Sequence, residues 1–118
     1  SFLPFWQELY AQGVDVILAG HLHYYMRTKP LDAAGLVDEA HGMRFFVVGT
    51  GGSDFFNDKP AQRAGFVETV GLSFGVLRML LRPHGYSWEF LPVAGAVDKG
   101  ADGGTYSDTG SAECHDPP

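Results

Sequence analysis

The chain has 118 residues, 16 of them glycine, and 45% of its residues are hydrophobic, which is typical of a globular protein with many turns. A net charge of −6 with only eight basic residues gives no basic stripe that could neutralise a nucleic-acid backbone, so no nucleic-acid partner is expected. No apolar run approaches the roughly 18 residues of a membrane-spanning helix, so no membrane span is expected in these residues.

The first third of the chain predicts a helix that leads into a strand. Pro4 suits a first helical turn, apolar residues recur at helical spacing after it, and Gly13 suits the position that follows a last turn. The helix is therefore predicted over about Pro4–Gln12. Val14–Leu18 is too continuously apolar for a half-exposed strand and predicts an interior strand buried on both faces. The mixed polar residues from Thr28 to Gly42 predict a loop.

The middle of the chain predicts a second strand and a long loop. Arg44–Val48 is again continuously apolar after its first residue and predicts another interior strand, which ends at Gly49-Thr50-Gly51-Gly52. That glycine-rich segment lacks the Lys and the helix start of a phosphate-binding P-loop, so it is predicted to be a turn. Ser53–Ser73 has no periodicity and predicts a long surface excursion, of a length more often functional than idle.

The last third predicts a hairpin and a tail. Gly75–Arg82 and Tyr86–Val93 alternate and are joined by Pro83-His84-Gly85, so they predict two antiparallel strands. Tyr86, Trp88 and Phe90 share one face and predict core packing. Residues from Ala94 onward are rich in Gly, Asp and Ser and predict an extended or loosely packed tail.

The clearest candidates for a chemical role are His21 and His23, which follow the first predicted strand and Gly20. In an extended backbone the two histidines would lie on one face, with α-carbons roughly 6.5 Å apart. That spacing suits two imidazoles that reach two metal ions held about 3.5–4 Å apart. Two histidines cannot complete the coordination of any metal, however, so the pair alone more often marks ordinary polar residues at a strand end.

Four stretches carry a family resemblance: Val14–Arg27 with its Gly-His-Leu-His-Tyr-Tyr-Met-Arg end, Phe46–Gly52 with Val-Gly-Thr-Gly-Gly, Phe74–Gly95, and Ser107–His115 with Asp-Thr-Gly and Cys-His. In this order they resemble the C-terminal part of the calcineurin-like metallophosphoesterases, most of all the purple acid phosphatase branch. That branch reads Gly-His-x-His-x-Tyr-Glu-Arg at the first stretch, and Met26 stands where its Glu is usual.

The resemblance implies an α/β fold, the αββα sandwich of that family. This chain would be its C-terminal part, mostly β with one N-terminal helix. Residues 1–95 would close an incomplete phosphoesterase domain, and 96–118 would form a Gly/Ser/Asp-rich tail. The family's other metal motifs (Asp-x-His, Gly-Asp-x-x-Asp or Gly-Asp-x-x-Tyr, Gly-Asn-His-Asp/Glu and a further His) all lie upstream. None is found in this sequence, so the missing N-terminal part of the same chain is expected to supply them.

By the same resemblance the function is hydrolysis of small-molecule phosphate monoesters by a metal-activated water. His21 and His23 would each bind one of two divalent or mixed-valence ions, which could be Fe, Zn or Mn. Tyr24 and Arg27 would line the substrate pocket, although Arg27 could equally support a loop by binding backbone carbonyls or a carboxylate. Two alternatives remain: a phosphodiesterase or nucleotidase of the same superfamily, and a noncatalytic β-rich binding or structural module. These 118 residues alone are expected to be inactive.

Cys114 is the only cysteine in the sequence. A free thiol and a disulfide partner are equally compatible with it, and the resemblance to secreted bacterial members favours a disulfide to a cysteine outside these residues. The same resemblance implies a secreted or periplasmic protein. His41, His84 and His115 have no metal-like spacing and are predicted to be surface histidines.

Overall fold

The computed structural model describes residues 3–55, 65–101 and 103–118. In these residues the fold is mostly β, with one N-terminal helix and two sheets, as the sequence predicted at that level. A four-stranded mixed sheet has the order β1-β3-β2-β4, and a three-stranded antiparallel sheet has the order β5-β6-β7. The elements are α1 Leu3–Ala11, β1 Val16–Ala19, β2 Tyr25–Leu31, β3 Met43–Val48, β4 Val67–Gly71, β5 Gly75–Arg82, β6 Gly85–Pro92 and β7 Asp108–Glu113.

The helix begins and ends one residue earlier than predicted, and Gly13 ends it as expected. Gly13 has a φ of +77°, and its N–H donates to the carbonyl of Tyr10 at 3.0 Å. The Val14 N–H donates to the carbonyl of Leu9 at 3.2 Å. These two bonds occupy carbonyls of the last turn, and glycine adopts the left-handed backbone without a steric penalty.

The main core lies between the two sheets. The predicted alternation of β6 is confirmed, because Tyr86, Trp88 and Phe90 are all buried and face the mixed sheet. The Phe46 and Trp88 ring centroids are 5.4 Å apart, and those of Tyr25 and Phe90 are 4.8 Å apart. Since consecutive strand residues point to opposite faces, a second apolar cluster forms on the other side of the mixed sheet. It contains Tyr24, Val47 and Leu72.

Only one of the two predicted interior strands is interior. β3 lies between β1 and β2, as expected for Arg44–Val48. The prediction for Val14–Leu18 was wrong: in the described residues β1 pairs with β3 alone, and Leu18 is 61% exposed. A continuous apolar run favours a strand that is buried on both faces. Whether the strand is buried depends on neighbouring strands, which the run itself does not determine.

The predicted loop over residues 28–42 was wrong in its first part, where β2 continues to Leu31. Its register against β3 shifts between Arg27 and Pro30, and this bulge accommodates a proline that would otherwise interrupt the ladder. Thr28 compensates by accepting a hydrogen bond from the Phe45 N–H at 3.1 Å. Polar and proline content therefore concealed a strand.

Two further strands were missed. The predicted excursion over residues 53–73 contains β4 at Val67–Gly71, paired with β2, while residues 56–64 lie outside the described residues. The predicted hairpin is confirmed, with Pro83 and His84 between its paired strand ends. The tail is not loosely packed throughout, because β7 adds to β6 from Gly85↔Glu113 to Phe90↔Asp108. Gly110 makes this possible, since a Cβ there would lie 2.2 Å from the Trp88 ring.

Candidate functional site

The two glycine-containing motifs, one after β1 and one after β3, meet at the carboxyl ends of these strands in the mixed sheet. β1 and β3 run parallel in a register that pairs Val16 with Arg44 and Ala19 with Val47. The carboxyl ends of parallel neighbours lie at the same edge, so the segment after β1 emerges beside the segment after β3. We call residues Gly20–Tyr24 the histidine loop. The glycine-rich segment Gly49–Gly52 lies directly against it.

Gly49 makes the closest approach between these segments. Its N–H donates to the carbonyl of Tyr24 at 3.1 Å, and a Cβ at Gly49 would lie 1.9 Å from the carbonyl oxygen of Leu22. Only glycine fits there. The next residue, Thr50, is buried, and its hydroxyl donates to the carbonyl of Gly75 at 2.8 Å. The segment therefore ties the histidine loop to the first strand of the other sheet.

His21 has an unusual backbone. Its φ is +70°, and it is the only non-glycine residue with a positive φ in the part of the chain that the structure describes. Residues 21–24 bend, with the Leu22 N–H donating to Gly20 at 2.8 Å and the Tyr24 N–H donating to Leu22 at 2.9 Å. The assumption of an extended backbone through His21 and His23 was therefore wrong. Left-handed conformations of non-glycine residues are uncommon and cluster at functional sites, where the surrounding structure holds them in place.

His23 has its tautomer fixed by the backbone. Its Nδ1 lies 2.6 Å from the carbonyl oxygen of Asp54, in the segment that follows the glycine-rich turn. A carbonyl oxygen only accepts, so Nδ1–H is the donor, and the neutral form of the ring has its lone pair on Nε2. A histidine that donates one ring N–H to a carbonyl while the other nitrogen holds a lone pair is oriented as metal-ligating histidines are.

Tyr24 and Arg27 lie on opposite sides of the mixed sheet. Tyr24 is buried in the cluster with Val47 and Leu72, and burial raises the pKa of its phenol. The Arg27 guanidinium points between the two sheets, where its carbon lies 4.9 Å from the centre of the Trp88 ring. The structure therefore does not bring Tyr24 and Arg27 into one pocket.

Asp108 is the residue near this region that the sequence reasoning missed. Its carboxylate accepts from Arg27 Nε at 2.8 Å, from Arg27 Nη2 at 3.1 Å and from the Tyr25 hydroxyl at 2.6 Å. This is the second of the two roles considered for Arg27, contact with a carboxylate. Burial, together with the bond to Asp108, raises the pKa of Tyr25 well above its ordinary value. These bonds span 83 and 81 positions of the sequence, so no local pattern pairs the residues, although Asp108 begins the Asp-Thr-Gly motif.

The end of the tail contacts the start of β1. Cys114 is exposed, and its N–H donates to the carbonyl of His84 at 3.0 Å. His115 is not simply a surface histidine, because its Nε2 lies 2.9 Å from the Gly42 carbonyl and 3.2 Å from the Asp15 carboxylate. His84 is exposed in its turn, as predicted. Neither His84 nor His115 belongs to the histidine loop.

An open groove borders the histidine loop. It has a volume of about 810 Å³ and runs between edge strands β1 and β5 of the two sheets, from Gly20 and Gly51 along Leu18, Leu77 and Leu81. Leu81 is 74% exposed and Leu18 is 61% exposed. Large apolar surface beside an unpaired strand edge is typical of a face that contacts further polypeptide.

The described residues do not complete a metal site by themselves. Among residues 3–55, 65–101 and 103–118, no group of three or more His, Cys, Asp or Glu side chains is arranged to hold an ion. Within the same residues, no helix has both the length and the apolar character needed to cross a bilayer. No protein-family model, curated protein or solved structure significantly matches this chain.

Proposed function

We propose that this chain is the C-terminal part of a dinuclear metal-dependent phosphoesterase that hydrolyses phosphate monoesters. In this proposal His21 and His23 are metal ligands. The observation that carries it is the left-handed backbone of exposed His21 in a loop pressed against Gly49. Such a conformation costs an L-residue stability, and backbone outliers of this kind cluster at functional sites, which supports a binding role.

The donor chemistry fits a metal. The Nδ1–H of His23 donates to the Asp54 carbonyl, so deprotonation of the ring would leave its lone pair on Nε2, as a ligand to Fe, Zn or Mn requires. Two divalent or mixed-valence ions would supply an activated water and neutralise phosphate charge. The chain's own contribution is to orient the His23 ring by its bond to the Asp54 carbonyl and to place His21 in the same loop, beside an open groove that Gly20 lines.

The remaining ligands would come from outside these residues. Catalytic sites need about three protein ligands per metal, and two histidines provide one for each ion. The proposal therefore places the other ligands in an N-terminal part of the same chain and extends the fold to an αββα sandwich. The edge of β1, which no strand in residues 3–55, 65–101 and 103–118 covers, and the apolar groove support this, because further strands would cover both.

The geometry supports the other predictions unequally. It does not support substrate contact by Tyr24 and Arg27, because the Arg27 guanidinium is bound to Asp108 and Tyr24 is buried. A disulfide of Cys114 to an outside cysteine, in a secreted or periplasmic protein, stays a prediction to which the exposed position of Cys114 is suited.

The proposal is tested in the full-length protein with His21→Ala and His23→Ala, and with His84→Ala as a control in an exposed turn. We expect each loop variant to lose bound metal and to reduce p-nitrophenyl phosphate turnover by orders of magnitude. A weakly bound ion would neither activate the attacking water nor neutralise the phosphate charge. The control should match the wild type. Normal turnover with full metal content in either loop variant would reject the proposal, and turnover of bis-p-nitrophenyl phosphate alone would favour a phosphodiesterase.

A further inference from the structure

Asp108 accepts hydrogen bonds from the start of β2, the strand that follows the histidine loop. β2 begins at Tyr25, two residues after His23, and its first inward-facing side chains are Tyr25 and Arg27. Both donate to the carboxylate of Asp108, which is the first residue of β7 in the other sheet. A single carboxylate thus binds two alternate residues at the start of β2.

This anchor matters because the other end of the histidine loop is weakly held. The loop begins after β1, a four-residue edge strand whose last two residues are exposed. Edge strands with few neighbours are among the less protected parts of a fold. The β2 side of the loop, where Asp108 acts, therefore helps to place His23, together with the Asp54 carbonyl that binds its ring.

The ion pair lies deep enough to be costly. The Arg27 and Asp108 side chains are only 14% and 9% exposed, and the guanidinium also lies over the Trp88 ring. Buried ion pairs contribute little net stability compared with apolar residues of similar size, because both charges must leave water. Such a pair instead fixes the orientation of its two side chains, since the forked guanidinium and the carboxylate bind in one geometry.

We infer that Asp108 is a positioning residue for the proposed metal site. It acts through Tyr25 and Arg27, which set where β2 starts and hence where His23 is presented. The inference rests on the proposed function for its catalytic consequence, and on the contacts of Asp108 alone for its structural one.

The test uses full-length Asp108→Asn, with Glu89→Gln as the matched control. Glu89 pairs with Arg78 on an exposed part of the hairpin, so the control makes the same carboxylate-to-amide change at a solvent-facing ion pair. Hydrogen exchange of the Gly49 amide reports the loop, because that N–H donates to the Tyr24 carbonyl. Metal content and the separate values of kcat and KM report the site.

For Asp108→Asn we expect Gly49 exchange to be at least tenfold faster, metal occupancy to fall, and kcat to fall more than KM changes. Asp108→Glu should recover part of the loss. The pair Arg27→Met with Asp108→Leu should recover melting temperature without recovering kcat, which separates positioning from stability. If Asp108→Asn fails to fold, Tyr25→Phe removes one donor to the same carboxylate and should shift Gly49 exchange in the same direction.

The inference is overturned if Asp108→Asn matches Glu89→Gln in Gly49 exchange and in kcat. It is also overturned if the apolar pair restores kcat together with melting temperature. A wild-type protein that binds no metal would reject the proposed function instead, and the response of Gly49 exchange to Asp108→Asn would still decide whether Asp108 positions the loop.

Discussion

Replacing His21 with glycine should stabilise the protein while it abolishes metal-dependent hydrolysis. A left-handed backbone costs an L-residue about 1–2 kcal/mol, and glycine avoids that cost. Glycine also lowers the free energy of unfolding by about 0.5–1 kcal/mol, because it has greater conformational freedom in the unfolded chain. Because His21 is exposed, no buried side chain is lost. The expected net gain in the free energy of unfolding is therefore about 0–1.5 kcal/mol.

The assay is urea unfolding of full-length, metal-free protein, since bound metal would itself raise the apparent stability of the wild type. His21→Ala is the matched control, because alanine removes the imidazole but keeps the unfavourable φ. We expect glycine to exceed alanine in stability, and both variants to lose turnover together. A glycine variant less stable than the alanine variant, or one with normal turnover, would refute the claim that His21 is kept in this conformation for binding.

Three further predictions concern the surroundings of the site. Gly49→Ala should cost about 1–3 kcal/mol or more in urea unfolding and lower metal content, because its Cβ would meet the Leu22 carbonyl, whereas Gly51→Ala has open space and should match the wild type. Tyr106 packs against the rings of Tyr25 and Phe90 in the main core. Burial raises its pKa to about 12, above the ordinary value near 10, so its contribution to stability is present below pH 10 and is lost as pH rises towards 12. Melting temperature should therefore fall over that range and fall less in Tyr106→Phe; an identical profile in the variant would contradict this. The 118 residues expressed alone should be poorly soluble, bind metal weakly and lack phosphatase activity, because the edge of β1 and the groove stay uncovered; gel filtration, calorimetry and turnover test this, and a cooperatively melting, metal-dependent enzyme would be the contrary result.

The parts of the fold that the sequence predicted well are those set by local chemistry. Gly13 ends the helix because its backbone requirement is local, and the β5–β6 hairpin follows from alternation and a short turn. β2, β4 and β7 were missed because their residues gain strand structure from neighbours far along the chain. Asp108, for example, is in a strand only because it pairs with Phe90 of β6 in the same sheet.

The candidate site was predictable to a similar extent. The sequence indicated His21 and His23 through a motif, and it indicated that the glycine-rich turn follows a strand. The left-handed φ of His21 follows from the bend of the loop against Gly49, which depends on the parallel pairing of β1 with β3. The engagement of Arg27 by Asp108 depends on the packing of two sheets, and no local pattern encodes it.

The central claim is that His21 and His23 bind two metal ions, and anomalous diffraction from crystals of the full-length protein tests it most directly. Data collected above the absorption edge of the bound metal should show two peaks, one about 2.0–2.1 Å from a ring nitrogen of His21 and the other at the same distance from a ring nitrogen of His23. The two peaks should be about 3.5–4 Å apart. Metal peaks located elsewhere, with both histidines unligated, would contradict the account.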